Sequence, residues 1–411
     1  MIETPQICII GAGISGLIAA YELEQAGYTP VIYEKSNAAG GRVRTVKVDG
    51  YDLDIGFQVL LSAYPMAKKY LDYEQLKLTK LASGAQVLVD GKQLLIGDPQ
   101  RDPSVLLPTI FSSIGTFRDK VKILGLIRKL KRKSIVHIFD TAETTTMEYL
   151  QSYGFSQKVI ERFFKPFFSG IFLEPDLRTS SRMFEFVYKM FGEGDATIPA
   201  AGIGAISDHL VSKLVQTKIH FDTAVEQLTP SHVHLSDGTS IPHDGAIVTS
   251  NASDLVRNLS EGPTRWKSCM CLYFQIDNTS IPQGTISLVA DGGRLSNNAY
   301  AYRTEDGTLI LSITTLKFKD RSQTEVVSEV ENEIRTYFGV KESTFIHAFT
   351  IEQALPDLQQ LQMSAEPSSS QLTENIFLAG DVMYNGSLNA AMESGRLAAL
   401  GLIEKRSGIL K

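Results

Sequence analysis

A strand, a glycine-rich turn and a helix open this 411-residue chain, and together they restrict its fold more than any other feature. The turn, GAGISG, occupies residues 11–16 and follows the apolar run 7–10. A helical apolar pattern then begins at Leu17 and ends near Gly27, and residues 31–33 predict a second strand. This order, with glycines at the first junction, predicts a βαβ unit of a parallel sheet.

The spacing of the glycines predicts dinucleotide binding, because Gly11 permits a tight turn, Gly13 lets a pyrophosphate approach the backbone and Gly16 allows close helix packing. The helix N-terminus offers free N–H groups and a positive dipole end to the phosphates. Glu34 ends the second strand, where a carboxylate accepts hydrogen bonds from ribose hydroxyls and repels a 2′-phosphate. The residues predicted to contact the dinucleotide here are Gly11, Gly13, Ile14, Ser15, Gly16, Glu34 and Lys35.

A second glycine pair, Gly40-Gly41, is followed at once by Arg42. An NAD-binding βαβ unit has no need of this segment, whereas a flexible backbone with a guanidinium suits a cofactor that is held from a second side. The alternative is a surface turn with an exposed arginine. We therefore predict a resident dinucleotide cofactor rather than a transient NAD co-substrate.

With these segments the chain resembles the flavoprotein superfamily that contains amine oxidases, phytoene desaturases and protoporphyrinogen oxidases. In that superfamily a glycine fingerprint, an acid and a Gly-Gly-Arg segment bind FAD. Residues 51–58, YDLDIGFQ, resemble the family's segment that passes the flavin ring. The resemblance implies FAD contacts from Gly41, Arg42, Gly56 and Phe57, and it places Gln58 near the flavin.

The C-terminal part of the chain provides a second match to the same superfamily. Residues 376–378 predict a buried strand, Gly380-Asp381 follows its end, and a helix rich in small residues starts near Leu388. A strand and helix of any α/β domain would be the alternative. Residues 375–403 contain no Cys or His that could tether a flavin, so we expect non-covalent FAD. The FAD contacts that the resemblance implies here are Gly380, Asp381, Ser387, Leu388 and Asn389.

The predicted fold class is α/β, with a discontinuous Rossmann-like FAD-binding domain around a parallel sheet and an interleaved α+β substrate domain containing an antiparallel sheet and a helical part. Short strands between 218 and 250 are predicted to return the chain to the FAD-binding domain, where the resemblance places the backbone of Val225 against the adenine. The predicted boundaries are 1–60, 200–255 and 367–411 for the FAD-binding domain, and 61–199 and 256–366 for the substrate domain, with the helical part at about 104–192.

Two regions are predicted to face the substrate. Residues 62–190 have a mostly helical pattern, and their many aromatic side chains are more typical of core than of a substrate cavity. Residues 263–350 alternate like the strands of an antiparallel sheet. Tyr300, Tyr302 and Arg303 on this sheet are candidates for the substrate cavity, and a solvated sheet face explains them about as well.

One departure from the resembled superfamily concerns a lysine. Its amine oxidases commonly carry a lysine on this sheet, linked through water to the flavin. Alignment of the strand by its aromatic end puts Cys269 there, with Lys267 two residues earlier on the same face. This favours a desaturase-like or porphyrinogen-oxidase-like enzyme over an amine oxidase, although a shifted register would restore Lys267.

Residues 117–133, FRDKVKILGLIRKLKRK, carry eight basic residues and one acid in a chain whose net charge is −6. Apolar residues recur in this segment at helical spacing. The pattern slightly favours a solvated helix face, and a membrane-surface helix beside a substrate entrance is the alternative.

Composition excludes several other classes of protein. The acidic net charge argues against a nucleic-acid binder. Three cysteines form no disulfide framework, and no His/Cys cluster predicts a metal site. No basic leader precedes the first strand and no apolar run approaches the roughly 20 residues that span a bilayer. We expect a cytoplasmic protein that associates with membranes, if at all, through residues 117–133.

The leading functional hypothesis is an FAD-dependent oxidoreductase, an oxidase or desaturase that removes a hydride from a hydrophobic small molecule. The alternatives are a flavin amine oxidase, an NAD-dependent dehydrogenase, and a non-enzymatic carrier of prenylated or lipid partners on the same fold. The residues assign no catalytic acid or base. The candidates near the flavin are Gln58, Lys267, Cys269, Tyr300 and Tyr302.

Overall fold

The computed structural model describes residues 5–97, 101–102, 105–256 and 264–408, and its mixed α/β architecture confirms the predicted fold class. The strands are β1 (Ile7–Ile10), β2 (Val31–Tyr33), β3 (Thr45–Val48), β4 (Tyr51–Asp54), β5 (Leu60–Leu61), β6 (Thr79–Lys80), β7 (Gly84–Val89), β8 (Lys92–Gly97), β9 (Ala196–Ile198), β10 (Lys218–His220), β11 (Val225–Leu228), β12 (His232–Leu235), β13 (Ser240–Pro242), β14 (Gly245–Val248), β15 (Trp266–Ile276), β16 (Ile286–Val289), β17 (Ser296–Arg303), β18 (Leu309–Thr315), β19 (Ser343–Pro356) and β20 (Ile376–Leu378). The helices are α1 (Ile14–Gln25), α2 (Pro65–Tyr70), α3 (Leu106–Phe111), α4 (Phe117–Arg132), α5 (Ile135–Asp140), α6 (Thr146–Ser152), α7 (Gln157–Val159), α8 (Lys165–Phe172), α9 (Ser181–Glu193), α10 (Ala205–Ser212), α11 (Ala252–Leu255), α12 (Gln323–Tyr337) and α13 (Leu388–Arg406).

A five-stranded parallel sheet brings the first, middle and last parts of the chain together. Its order is β10-β2-β1-β14-β20, and every neighbouring pair is parallel. β1 is buried throughout, as expected for the centre of a parallel sheet that is covered on both faces. α1 and α13 pack on one face, and the three-stranded sheet β11-β12-β13 packs on the other.

A seven-stranded sheet, in the order β19-β15-β18-β17-β16-β7-β8, forms the second large unit of the fold. Its neighbours are antiparallel except for β16 and β7. One face packs on α12 through side chains such as Leu272, Phe274 and Ile334. The opposite face contacts the β3–β4 hairpin and the helical part, so this face is directed towards the predicted flavin segment.

The prediction that residues 62–190 are mostly helical is wrong for residues 79–97. β7 and β8 form a hairpin there, and its turn residues Asp90 and Gly91 have φ values of 52° and 67°. Positive φ at both turn positions matches the twist of a hairpin and is typical of Asp-Gly. The hairpin is held by parallel pairing of β7 with β16, a long-range contact that local periodicity does not reveal.

The helices α3 to α9 surround an aromatic core. A π-helical turn, Ile160–Phe164, joins α7 to α8 and packs beside α9. The interpretation of these aromatic residues as core is confirmed, because the largest of them are fully buried. They are Phe164, Phe168, Phe172, Phe184 and Phe186.

α4 begins in a capping box that depends on a buried acid. Asp119 accepts hydrogen bonds from the backbone N–H and hydroxyl of Thr116, and from the backbone N–H and hydroxyl of Ser156, at 2.6–2.8 Å. Asp119→Ala would leave these four donors without the acceptor, so we expect the free energy of unfolding to fall by about 2–4 kcal/mol. Urea unfolding followed by circular dichroism measures this loss. The matched control is Glu148→Ala, which removes the acid of the exposed Thr145 capping box of α6 and should cost clearly less.

The same contacts make the effect of Asp119→Ala depend on pH. Burial raises the pKa of Asp119, but the hydrogen bonds from Ser156 and Thr116 outweigh burial and lower this pKa from 3.8 to about 2. A carboxylate with a lowered pKa stabilises the fold above its unfolded-state pKa and loses this effect as the pH falls towards the folded-state value. The stability gap between wild type and Asp119→Ala should therefore narrow between pH 4 and pH 2. A gap that stays constant over this interval would contradict the assignment.

Candidate active site

Each glycine of the fingerprint turn, residues 11–16, meets a different steric demand. Gly11 has a φ of 104°, and a Cβ on it would lie 2.5 Å from the hydroxyl of Thr249. A Cβ on Gly16 would lie 2.1 Å from the carbonyl oxygen of Gly11. A Cβ on Gly13, by contrast, would meet no atom within 4 Å. Gly11 and Gly16 are thus required by the packing of the turn, whereas Gly13 borders open space.

This open space lies at the N-terminus of α1. Gly13 is the N-cap residue, no side chain caps the helix, and its first turn contains no acid. Ile14 and Ser15 are the first two residues of the helix. The backbone N–H groups and the positive end of the helix dipole are therefore available to an anionic ligand.

Glu34 links the end of β2 to the fingerprint turn. Its carboxylate accepts hydrogen bonds from the backbone N–H of Ala12 at 2.7 Å and from the backbone N–H and hydroxyl of Ser36 at 2.8 and 2.7 Å. Lys35 is exposed beside it. The stretch that leads into Val225 runs alongside, because the backbone N–H of Thr223 donates to the carbonyl of Glu34. The residues predicted for the ribose and adenine are thus brought together at one edge of the sheet.

The second glycine pair packs directly against the first. The backbone N–H of Gly40 donates to the carbonyl of Ala12 at 2.8 Å, and Gly13 and Gly40 form an isolated β-bridge. Gly40 has a φ of 111°, and a Cβ on it would lie 2.4 Å from the carbonyl oxygen of Val43. Gly41 follows, also with positive φ, and its backbone lies against Gly13. The open space above Gly13 therefore has Gly40-Gly41-Arg42 as its second wall.

An ion pair joins Arg42, which follows the second glycine pair, to Asp381 in the C-terminal part of the chain. The guanidinium of Arg42 donates to both carboxylate oxygens of Asp381, at 2.6 and 3.0 Å, and also to the carbonyl of Ala354 at 3.2 Å. The Arg42 guanidinium also lies 5.1 Å from the ring centre of Trp266. The side chain of Asp381 is buried, whereas that of Arg42 remains 40% exposed. Two residues 339 positions apart in sequence thus form one bidentate contact.

The start of α13 supplies a third part of the site. Gly380 has a φ of 140°, a backbone conformation that side chains other than that of glycine rarely adopt, and its N–H donates to the hydroxyl of Ser394. Ser387 caps the helix by accepting from the N–H of Ala390 at 3.0 Å, and Leu388 is its first residue. Asn389 is fully buried, and its side-chain oxygen Oδ1 accepts from the backbone N–H of Met66. Within the described residues, the side-chain nitrogen Nδ2 of Asn389 has no hydrogen-bond partner.

Aromatic side chains extend from the predicted flavin segment, residues 51–58, onto one face of the seven-stranded sheet. We call the face that carries Tyr300 and Tyr302 the aromatic face. Gly56 has a φ of 82°, and a Cβ on it would approach Ile351 to 3.1 Å. The ring of Phe57 lies 5.3 Å from that of Tyr300, and Tyr300 stacks on Tyr302 at 6.0 Å. Burial raises the pKa of both tyrosines, so their hydroxyl groups stay protonated at neutral pH.

Lys267 and Cys269 lie in different environments because the pairing of β15 with β19 shifts register between them. Lys267 donates to the hydroxyl of Thr179 at 2.8 Å and lies 3.5 Å from the carboxylate of Asp357. Burial lowers the pKa of Lys267, while Glu174 and Asp357 act in the opposite direction. Cys269 is buried, and burial raises the pKa of its thiol to about 12.

A cavity of about 110 Å³ separates Lys267 from the N-terminus of α13. Its lining includes Tyr64, Phe172, Met183, Lys267, Pro356 and Ser387. Lys267 rather than Cys269 therefore shares a cavity with the start of α13. Among the candidates near the flavin, Gln58 has a different position, because its amide nitrogen donates to the carbonyl oxygens of Arg42 and Ile55. It holds the backbone of Arg42.

Two residues of this site were not predicted from the sequence. Trp266 is the only tryptophan of the chain, and its ring lies beside the Arg42 guanidinium. Asp54 is a half-buried acid that accepts from the hydroxyl of Thr45 at 2.6 Å and from the N–H of Ile203 at 2.9 Å. It fastens the loop before α10 to the β3–β4 hairpin. The acid directly before Ile55-Gly56 in the quoted segment was the available signal.

Within the residues that the structure describes, no group of three or more His, Cys, Asp or Glu side chains is placed to hold a metal ion. Across the same residues, no helix is both long enough and apolar enough to cross a membrane.

The sequence pattern of the family described as flavin containing amine oxidoreductase matches residues 14–403. The chain belongs to this family. The predicted superfamily and the FAD cofactor are thereby confirmed, and the family's description agrees with the predicted class of FAD-dependent oxidoreductase. The alternative of an NAD-dependent dehydrogenase is wrong.

This flavin-containing amine oxidoreductase is also similar to individual proteins, in part of its sequence or in its fold. The chain is 32% identical to L-amino acid oxidase Bs29 of Bothriechis schlegelii over 158 residues, covering 36% of this chain and 32% of that protein. It is 29% identical to protoporphyrinogen oxidase 2, chloroplastic/mitochondrial, of Arabidopsis thaliana over 168 residues, covering 40% and 32%. The aligned part thus spans about a third of the length of these curated relatives. An oxidoreductase from Methanosarcina mazei has the same fold, with a TM-score of 0.73 at 16% identity, covering 97% of this chain and 100% of that one.

Three features of this flavin-containing amine oxidoreductase fit FAD. The open space at Gly13 adjoins an uncapped helix N-terminus, which suits a pyrophosphate. Arg42 follows Gly41, whose backbone lies against Gly13, and part of its guanidinium is exposed. The buried amide nitrogen of Asn389 lacks an acceptor that a polar group of the cofactor would provide. The individual contacts to FAD remain predictions.

Proposed function

We propose that this protein oxidises a predominantly apolar small molecule by removal of a hydride. FAD, when bound, supplies the hydride acceptor. The protein's own part is to hold the cofactor through the two glycine segments, Arg42 and the start of α13, and to present the substrate on the aromatic face of the seven-stranded sheet. The proton that accompanies the hydride is assigned to no side chain.

One observation carries the proposal. A row of residues that are paired across neighbouring strands runs over the seven-stranded sheet from the aromatic face to an apolar cavity. On six neighbouring strands the row is Tyr273, Ser312, Tyr300, Ile286, Ala85 and Ile96. Directly opposed residues of neighbouring strands lie on one face of a sheet. Ile286, Ala85 and Ile96 line a cavity of about 440 Å³, which we call the apolar cavity.

The dimensions and chemistry of this row suit an apolar substrate. Tyr300 and Ala85 are two strands apart, which corresponds to about 10 Å at the usual strand spacing. Every side chain of the row is uncharged. A substrate that extends from the flavin segment into the apolar cavity would therefore meet apolar groups and neutral hydroxyls, and a charged substrate would lose its hydration without a partner.

Anaerobic bleaching of the flavin absorbance tests this proposal. The holoprotein is mixed with a carotenoid-like polyene, a porphyrinogen and a set of amines and amino acids. We expect bleaching by a member of the first two classes. Bleaching by amines or amino acids alone would contradict the proposal, and a protein that binds no FAD would favour the carrier alternative.

Amine oxidation is a second candidate, and the position of Lys267 in the same cavity as Ser387 favours it. The substitution Lys267→Met separates the two candidates. If Lys267 transfers protons in an amine oxidase, its loss should slow flavin reduction by about 100-fold or more. On our leading proposal we expect no loss of that size with an apolar substrate, as measured by stopped-flow absorbance. Lys80→Met, at an exposed lysine, controls for the loss of a positive charge.

A further inference from the structure

Large exposed apolar side chains are concentrated in one part of the molecule. The described residues expose eight of them, and six lie between positions 106 and 136. Phe117, Val121 and Leu124 recur at helical spacing along α4, and Phe117 is 75% exposed. Leu106 and Leu107 of α3 are exposed as well. Such a concentration on a single surface is typical of an interaction site.

The opposite side of α4 is firmly packed. Leu126 and Leu130 are buried in the main core, and the helix begins in the Asp119 capping box. Asp119 is the only acid of the helix, and it is buried with its oxygens engaged by Thr116 and Ser156. The exposed apolar side chains therefore stand on a well-anchored helix.

Basic residues surround these apolar positions, and they divide into two groups. The first group is engaged within the protein: Lys120 with the carbonyl of Ser112, Lys122 with the carbonyl of Gly154, Lys129 with Tyr149 and Tyr153, and Lys133 with Glu185. The second group is exposed and comprises Arg118, Arg128, Lys131 and Arg132. We call this group, with Leu106, Leu107, Phe117, Val121 and Leu124, the α3–α4 face. It presents positive charge in a chain whose net charge is −6.

The α3–α4 face is also the rim of the apolar cavity. Phe117, Val121 and Leu124 line this cavity, although each of them is exposed at the surface. The cavity therefore reaches the surface between α3 and α4. Its inner end is the row of Ile286, Ala85 and Ile96 that leads to Tyr300.

We propose that the α3–α4 face is a peripheral docking site for an anionic lipid bilayer, and that the apolar cavity opens into that bilayer. Charge complementarity selects this partner, because exposed Arg and Lys attract anionic headgroups while Phe117 and its neighbours enter the headgroup–acyl boundary. Docking follows from this surface alone. The passage of an apolar substrate through the cavity rests on the proposed function.

Vesicle flotation of the full-length holoprotein tests the proposal. The vesicles are phosphatidylcholine with or without phosphatidylglycerol, and both protein content and FAD absorbance are measured in every fraction. The apolar variant is Phe117→Ser/Val121→Ser, and the charge variant is Arg118→Gln/Arg128→Gln/Lys131→Gln/Arg132→Gln. The controls change exposed residues elsewhere: Val215→Ser removes one exposed apolar side chain, and Lys319→Gln/Arg335→Gln/Lys341→Gln removes three exposed positive charges.

We expect wild type and both controls to float with anionic vesicles and to stay unbound with phosphatidylcholine alone. Both α3–α4 variants should bind about tenfold less or weaker still, while keeping their FAD. Absence of flotation by the yellow wild-type protein would overturn docking and leave the proposed function standing. An apolar variant that floats like wild type would also overturn it, because adsorption would then be purely electrostatic. A colourless protein that floats would instead contradict the proposed function alone.

Discussion

Arg42→Ala should be purified without FAD. In the native protein the Arg42 guanidinium bonds both oxygens of Asp381, whose side chain is buried. Truncation removes the cation beside the phosphate-binding turn and leaves a buried carboxylate unpaired. A hydrogen bond to a charged group contributes about 1.5–3 kcal/mol, so the loss of the Arg42 contact to the cofactor should raise the Kd for FAD by a factor of about 30. The ratio of flavin to protein absorbance after gel filtration, and titration of the apoprotein with FAD, measure the effect.

Three further variants make the Arg42 result specific. Arg44→Ala removes a neighbouring guanidinium that contacts Asn37, and it should retain FAD. Arg42→Lys keeps the charge but loses the bidentate contact with Asp381, so we expect an affinity for FAD between those of wild type and Arg42→Ala. Arg42→Ala/Asp381→Ala should unfold at a higher temperature than Arg42→Ala, because no buried charge is left alone. Full FAD content in Arg42→Ala would contradict the site.

Gly13→Val should give a folded protein that does not bind FAD. Gly13 has φ −70° and ψ 174°, which any L-residue adopts, and a Cβ there meets no protein atom within 4 Å. The valine side chain would instead fill the space at the N-terminus of α1, where the pyrophosphate is predicted to approach the backbone. We expect the Kd for FAD to rise by about 100-fold or more, equivalent to about 2.7 kcal/mol. The urea midpoint of the apoprotein should stay close to that of wild-type apoprotein.

Two other glycines provide the comparison. Gly16→Val should fail to fold, because its Cβ would lie 2.1 Å from the carbonyl oxygen of Gly11. Gly292→Val, in the connection between β16 and β17, also meets no atom and should leave both folding and FAD unchanged. If Gly13→Val unfolds like Gly16→Val, or binds FAD like wild type, the open space at Gly13 is not the phosphate site.

Contacts within a short stretch of chain were the most predictable part of this structure. The βαβ unit, the start of α13 at Leu388 and the strands around Gly245 follow from apolar periodicity and turn residues, which act over a few positions. The hairpin of β7 and β8 shows the limit of the same reasoning. Its Asp-Gly turn was visible in the sequence, but its place in the sheet depends on β16, about 200 residues away.

The site divides in the same way. Gly13, Glu34 and Arg42 could be predicted from the sequence because they lie in or near glycine-rich turns next to predicted strands, a pattern typical of phosphate binding. Trp266 and Asp54 were missed because their roles arise from distant partners, Arg42 in one case and Ile203 in the other. The choice between Lys267 and Cys269 required the register shift in β15, which no local pattern specifies.

The sequence by itself determined that this chain folds around a dinucleotide and that its family is that of the FAD-dependent amine oxidoreductases. Those features depend on glycine conformations and short apolar periods, which neighbouring residues largely dictate. Only the tertiary structure decided that Arg42 pairs with Asp381, that Lys267 shares a cavity with Ser387, and that the α3–α4 face forms the rim of the apolar cavity. Each of these depends on how distant strands and helices pack, and packing is set by the whole core rather than by any one segment.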